Sequence, residues 1–494
     1  MGLLYFTHLF DSIRKFTCRK HLAYVYRIRR ILPVLLAIIA VIIWLAVAQK
    51  VVHRQRSAIR RQRLAINRQR LTTKLHKNTK PFGVLQIYQR LTSDAIASIS
   101  SKFSSIDCDA LFSNDDAENR STQVREIAKE YSYQFTKARF IMSASSKDRC
   151  TFLKYAFGFN ERPLSKEEEQ FPLAYAALVY KWADQVFYMI GSLYHPQNVY
   201  CIAVDGKSDR SFKQSMKLLS TCFTNIHVMV VERVNYCGFS VINSVMQCLR
   251  MLTKSAIPWR YFQYISNFDL PLKTNHEMVR IFKRLNGSFN SEIKEYQRHR
   301  LQGKRSESIP YGVKLYKSSL SATFNRQSAE FIVNNEKAQT IFRFLNGTNC
   351  PDESLWTTIA GNPELGMPNG FDAQRWLRVL NRNRSKTTNE TLPYYISRFQ
   401  VWIRSNSKCR GKFSSTSCVY GVDDLPVLEK RPELIAHKFY LNYQPAAFFC
   451  LYARVRARAI KNIKKFDDSV YGKMAGPRVL RGEPIERIFN KSSK

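Results

Sequence analysis

Acidic residues are scarce in this chain. Its 494 residues hold 38 Asp and Glu against 78 Lys and Arg, a formal net charge of +40. Residues 1–80 contain one acid, Asp11. A field of that sign disfavours cationic partners and favours anionic ones: nucleic acid, lipid headgroups or phosphate-bearing substrates. Metal-binding patterns are missing as well. There is no HExxH and no zinc-type pairing of cysteines, and the one Asp-x-Asp, Asp107-Cys108-Asp109, precedes the predicted sheet. No internal repeat is visible. What remains is an ordinary globular composition, 45% hydrophobic. The length suits one large catalytic domain with appendages, or two to three small domains.

One long charge-free run stands out, ILPVLLAIIAVIIWLAVA at 31–48. It is long enough for a bilayer core. It lies too far from the N-terminus for an ordinary cleaved signal peptide, and no small-x-small cleavage site is obvious. It reads as an uncleaved transmembrane signal-anchor between a basic cytosolic tail, residues 1–30, and a lumenal stem, residues 49–105. Residues 50–70 are at least as basic as the N-terminal flank, so the positive-inside rule leaves orientation open. Two other signals decide it. Ten of the eleven cysteines lie beyond residue 100, and N-x-[ST] sequons stand at Asn119, Asn286, Asn346, Asn383, Asn389 and Asn490. Together they place the C-terminal side in an oxidising, glycosylating lumen. The basic stretch 51–80 then reads as stem near anionic lipid. A nucleic-acid arm is disfavoured on the side that carries the sequons.

From about residue 130 the pattern alternates strand and helix. FPLAYAALVYK (171–181), NVYCIAVD (198–205) and NIHVMVV (225–231) are apolar runs that read as buried strands. Helical spacing separates them in ADQVFYMIGSLY (183–194) and SFKQSMKLLSTCF (211–223). Such a βαβαβ run predicts a parallel, nucleotide-binding sheet with its ligand beyond the carboxyl ends of the strands. Asp205 ends the second strand, where it reads either as a cap for the next helix or as a ribose or nucleotide contact. A helix over 240–253 follows, then strand, polar turn (Asp269, Pro271, Lys273, Asn275) and helix over 259–285. The less regular half beyond contains NCPDESLW (349–356). There Pro351 suits a first helical turn, and Asp352, Glu353 and Ser354 suit its positively polarised start. The other reading makes one carboxylate a general base, held beside buried Leu355 and Trp356. The basic segment 456–494 reads as a peripheral C-terminal tail.

FPLAYAALVYK, HPQNVYCIAVDGKSD (195–209), DLPLKTNHEMV (269–279), CPDESLW (350–356), SCVYGVDDL (417–425) and AHKFYLNYQP (436–445) are specific in their order and spacing. Over residues 100–455 the chain resembles the core 2/I-branching β-1,6-N-acetylglucosaminyltransferases, glycosyltransferase family 14, in the manner of an invertebrate-type member. The resemblance implies an α/β fold: a GT-A-like nucleotide-sugar-binding domain with a central, mostly parallel sheet, over residues 106–455. It implies a single-pass type II Golgi membrane protein. The implied reaction is inverting transfer of a sugar, N-acetylglucosamine in the first instance, from a UDP-sugar to a hydroxyl of an O-glycan acceptor on glycoproteins, in β-1,6 branching. No cofactor, metal ion or nucleic-acid partner is implied. The implied disulfides are Cys108–Cys450, Cys150–Cys222, Cys201–Cys248 and Cys409–Cys418. Cys237 and Cys350 are left without family partners, to pair with each other or to leave one free.

The resemblance makes Glu353 the base that takes the acceptor proton and leaves Asp352 as the helix cap. Asp205 matches a uridine-contacting Asp, with Ala203 where a His is usual. Lys438 matches the lysine that meets the diphosphate. The family's second phosphate cation, an Arg three residues before the Cys of SCVYG, falls on Ser415 in this chain; Arg410 and Lys412 are the nearby cations that would substitute for it. Glu292 matches an acceptor-binding Glu. Trp402 matches an acceptor-stacking Trp, a buried core Trp being the other reading. Phe239 replaces a family Trp. Without a metal ion, each cation on the diphosphate is worth about 1.5–3 kcal/mol as a charge-assisted hydrogen bond, so the change at Ser415 bears on activity and donor choice. The competing readings are a UDP-glucose or UDP-xylose donor, a catalytically silent lumenal glycan- or nucleotide-binding protein on the same fold, and a membrane-tethered nucleic-acid binder that rests on charge alone.

Overall fold

Strands buried on both faces need apolar side chains throughout, and the three apolar runs of the middle segment supply them. The computed structural model describes residues 83–113, 119–382, 394–461 and 465–489. In it β1 (Leu173–Val179), β2 (Val199–Val204) and β3 (Ile226–Val230) run parallel. The helices Ala183–Leu193 and Arg210–Cys222 make the crossovers. The helix Phe239–Thr253 leads to β4 (Tyr261–Ser266), which pairs parallel with the other side of β1. After β5 (Asp269–Pro271), β6 (Lys294–Glu295) and β7 (Tyr316–Lys317), the short β8 (Thr323–Asn325) closes antiparallel on β4, giving the order β3-β2-β1-β4-β8. The central sheet is therefore mostly parallel, as expected.

Side chains alternate across this sheet. Tyr175, Ala177, Val179, Tyr200 and Ile202 join one core, which the helix Pro445–Lys461 also enters. Ala174, Ala176, Cys201, Phe262 and Tyr264 join the other, with Leu355 and Trp356. The Cys201–Cys248 disulfide pins β2 to the helix over that second face. All four implied disulfides are present, and Cys237 pairs with Cys350 as the fifth.

A second sheet stands beside the carboxyl end of β4. It is formed by β9 (Phe399–Gln400), β12 (Ile435–His437) and β5, in the order β5-β12-β9, next to a hairpin of β10 (Lys412–Ser414) and β11 (Ser417–Val419). The stretch read as a polar turn is corrected here. Asp269–Pro271 is a strand, and Asp269, Lys273 and Asn275 are all buried. Asp269 is a hub. Its Oδ2 accepts from Arg398 Nη2 and from the Ser266 amide, both at 2.7 Å, and its Oδ1 lies 2.7 Å from His437 Nδ1. Burial pushes its pKa up, but the Arg398 charge and the His437 hydrogen bond outweigh that and hold it below the ordinary carboxylate range.

Both expected boundaries of the catalytic domain shift. The helix Val84–Ala97, in the segment read as stem, buries Tyr88, Leu91 and Ala95 and packs on Pro445–Lys461. That helix runs through the boundary at 455–456, and the buried Arg456 donates to Thr92 Oγ1 (2.8 Å) and Gly191 O (3.0 Å). The tail is not peripheral either: Ala475 and Ile485 pack with Ala373 and Trp376, while Asp468 pairs with Arg280 and Arg284. Net charge summed along a segment does not report its apolar face. Asn286 and Asn346 are exposed and Asn119 opens the helix Asn119–Glu130; Asn383, Asn389 and Asn490 lie outside the described residues. So do the apolar run 31–48, the tail before it and residues 49–82. Among the described residues no helix is long and apolar enough to cross a membrane.

Removing one partner of a buried charge pair leaves the other uncompensated. Asp269→Ala is therefore expected to lower unfolding stability by about 3–5 kcal/mol in urea titration. A loss under about 1 kcal/mol, the scale of an exposed pair, would contradict the hub.

Candidate active site

The carboxylate pair that the sequence singled out hangs from a disulfide. Cys350 holds the left-handed region at φ 49°, is bridged to Cys237, and donates its N–H to Cys237 O at 3.0 Å. The 3-10 turn Pro351–Glu353 follows, and then the helix Leu355–Ala360, whose Leu355 and Trp356 are fully buried. Trp356 Nε1 donates to Leu320 O at 2.7 Å. The apolar pair thus anchors the two acids at the edge of the core.

Those acids have different surroundings. Glu353 is partly exposed, and its Oε2 meets two cations, Arg300 Nη2 at 2.8 Å and Lys317 Nζ at 3.4 Å. Lys317 sits on β7 opposite Lys294 on β6, and Lys294 pairs with Glu292. Glu292 O also accepts from Thr357 Oγ1 in the helix after Glu353, at 2.8 Å. The small β6–β7 ladder therefore brings Glu292 and Glu353 to one site. Sequence reading missed Arg300 and Lys317, which lie 53 and 36 residues from Glu353 and carry no local motif.

Asp352 is not a helix cap. Cys350 and Ser354 occupy the N-cap positions, and neither makes a side-chain cap bond. The Asp352 Oδ1 is out of water, with no hydrogen-bond partner among the described residues. Burial, reinforced by the Glu353 charge beside it, pushes its pKa up to about 7. Two adjacent carboxyls are thereby driven to unlike environments, one shielded and one facing cations.

Asp205 and Lys438 both lie just past the carboxyl ends of strands. Asp205, just after β2, is buried; its Oδ1 accepts from the amides of Lys207 (2.8 Å) and Val234 (3.0 Å), while Lys207 Nζ stands 4.0 Å from Oδ2. It organises the loops after β2 and β3, and it does not cap the next helix, where Asp209 accepts from Phe212 N at 2.7 Å. Lys438 leaves β12 next to the Asp269 hub. It is buried, donates to Ser414 O at 2.8 Å, and lies over the Tyr440 ring at 5.3 Å.

The hairpin places the remaining candidates. Ser415 and Thr416 form its two-residue tip, both in the left-handed region (φ 47° and 62°) and both exposed. Lys412 lies over the Tyr443 ring at 4.3 Å, and Tyr443 N donates to Tyr440 O, so Lys412 and Lys438 share one turn of aromatic residues. Arg410 is exposed elsewhere on the loop, and its amide donates to Asp424 Oδ1 at 2.9 Å. Trp402 pairs with Ser417 and is 37% exposed, which overturns the reading of it as a core tryptophan. Phe239 is partly buried against Phe342.

Among the described residues no group of three or more His, Cys, Asp or Glu is arranged to hold a metal ion. A cavity of about 660 Å³ beside the Cys108–Cys450 bridge, lined in part by Phe103, Phe112, Arg454 and Lys461, includes none of the residues above.

Comparison with known proteins bears on this geometry. The sequence model of the core-2/I-branching enzyme family matches residues 173–426, from the first residue of β1 to beyond the hairpin. The chain is 28% identical over 337 residues to the human beta-1,3-galactosyl-O-glycosyl-glycoprotein beta-1,6-N-acetylglucosaminyltransferase 3, covering 63% of this chain and 74% of that one. It is likewise 28% identical over 352 residues to the mouse N-acetyllactosaminide beta-1,6-N-acetylglucosaminyl-transferase, covering 66% and 83%.

The shielded Asp352 carboxyl gives a pH signature. A carboxyl raised in the folded state contributes stability that is present below its unfolded pKa and lost as pH rises through about 7. Asp352→Asn removes that loss. Its melting temperature is expected to gain on the parent between pH 5 and 8; a difference independent of pH would contradict the shielding.

Proposed function

The chain belongs to the core-2/I-branching enzyme family of glycosyltransferases, and from that premise we propose that it transfers N-acetylglucosamine from UDP-N-acetylglucosamine to a hydroxyl of an O-glycan. The product is a β-1,6 branch formed with inversion at the anomeric carbon. The observation that carries this reading is Glu353. It stands at the edge of the core with both cations on Oε2, beside Glu292.

In the reaction, Glu353 Oε1 takes the proton of the acceptor hydroxyl as that oxygen bonds to the anomeric carbon. The bond from that carbon to the diphosphate oxygen breaks, and its electron pair leaves with UDP. A positioned base contributes about 10²–10⁴ in rate. Arg300 and Lys317 hold the carboxylate in place by its other oxygen. Lys438 and Lys412 meet the charge that develops on the leaving diphosphate, which makes metal assistance unnecessary; Asp205 holds the uridine end. Glu292 and the exposed Trp402 bind the acceptor. Arg410 has a smaller part than Lys412, which shares the Tyr440–Tyr443 turn with Lys438.

The setting is the Golgi lumen, in a single-pass type II orientation. The apolar run at 31–48, the sequons and five disulfides support it. A silent binding protein on the same fold is the second reading. What favours it is Ser415, which offers a hairpin tip instead of a phosphate cation.

Glu353→Gln separates base from scaffold. Transfer from UDP-N-acetylglucosamine is expected to fall by at least about 10²-fold while UDP binding, measured by calorimetry, stays within a factor of about two. Full retained activity would remove Glu353 from the mechanism.

A further inference from the structure

The cation missing at Ser415 has a counterpart on another lip of the nucleotide edge. Lys181 follows β1, in the middle of the sheet, between the ends of β2 and β4. Its ammonium rests on ring faces: Trp182 at 4.3 Å, Tyr180 at 5.3 Å and Phe268 at 5.6 Å. These are its described contacts, and no carboxylate is among them. The rings close into a cluster, since Trp182 and Phe268 both meet Tyr440 edge-on, at 5.5 and 4.8 Å. Tyr440 is the ring over which Lys438 lies. The two lysines therefore flank one aromatic cluster, one arriving from β1 and one from β12.

The backbone there is held from several sides. Tyr180 N and Lys181 N both donate to Asn267 Oδ1, at 2.8 and 3.2 Å. Gln185, in the first turn of the helix Ala183–Leu193, donates to Phe439 O (2.8 Å) and accepts from Leu441 N (3.2 Å). Phe439 N donates to Phe268 O at 2.9 Å. Trp182 sits in the left-handed region at φ 59°, rare for a bulky side chain and retained where surrounding structure fixes it. On the far side Ser208 Oγ donates to Tyr180 O, which ties this segment to the loop that carries Asp205.

We propose that Lys181 is a further cation on the diphosphate of the donor, beside Lys438 and Lys412, supplied from the end of β1 where this chain has a serine at position 415. This rests on the UDP-sugar reading given above. A face of π-electrons orients an ammonium without neutralising it, so the charge stays available to an arriving anion, whose charge-assisted hydrogen bond is the stronger interaction. The position fits. A nucleotide lying along the strand ends with its uridine at Asp205 passes the end of β1 before it reaches Lys438.

The test is calorimetric binding of UDP and of uridine to the full-length, detergent-solubilised protein. Lys181→Gln is expected to weaken UDP by about tenfold, the scale of one charge-assisted contact, and to leave uridine within about twofold. Lys181→Arg keeps the charge over the rings and is expected to bind UDP within about threefold of the parent. UDP affinity unchanged in Lys181→Gln, or UDP and uridine weakened together, would overturn the assignment to the diphosphate. A loss in Lys181→Arg as large as in Lys181→Gln would show the effect to be structural and overturn it too. A parent protein that binds no UDP would instead remove the donor reading on which the assignment rests.

Discussion

A buried carboxylate without partners is costly, and Asp269 is made tolerable by Arg398, His437 and Ser266 arriving from three separate stretches of chain. That requirement shapes the catalytic half of the molecule. It fixes β5 against β12 and the residue before β9, and so sets where Lys438 leaves the sheet. The same neighbourhood reaches the other side of the site. Ser397, next to Arg398, donates to Asn290 Oδ1 at 2.9 Å, two residues before Glu292. Arg398 also lies over Tyr264, whose surroundings include the Asp352 carboxyl. Lys438 and the Glu292–Glu353 pair are thus positioned by one shared polar core.

The chemistry divides along that core. On one side, two cations engage one oxygen of Glu353, and the disulfide at Cys350 and the buried Trp356 keep the acid at the rim. On the other, lysines rest on aromatic rings, which orient a charge without cancelling it. In the proposed reaction the leaving diphosphate meets side-chain cations alone, and the loss of any one is felt in proportion to how many remain. The serine at the hairpin tip makes that question specific to this chain.

Much of the scaffold was legible in the sequence because apolar runs of strand length, spaced by helical periodicity, admit few packings. β1, β2, β3 and their crossovers fall where the pattern puts them. Asp269 was misread because a polar residue in a three-residue strand looks like a turn until its partners, 129 and 168 positions away, are in place. Arg300 and Lys317 were invisible for the same reason. The motif singled out Asp352 and Glu353 together, but the shielding of Asp352 was not legible, since a helix-start pattern is silent about which carboxyl faces the core. The basic C-terminal segment misled because charge counted along a chain says nothing of which face it lies on.

Sugar transfer that runs on protein cations and one carboxylate base is open to direct measurement as UDP release from UDP-N-acetylglucosamine, UDP-glucose and UDP-xylose, with an O-glycan acceptor and with EDTA present. Acceptor-dependent release is expected, fastest from UDP-N-acetylglucosamine and undiminished by EDTA. UDP that binds while no donor turns over, or turnover abolished by EDTA, would contradict it.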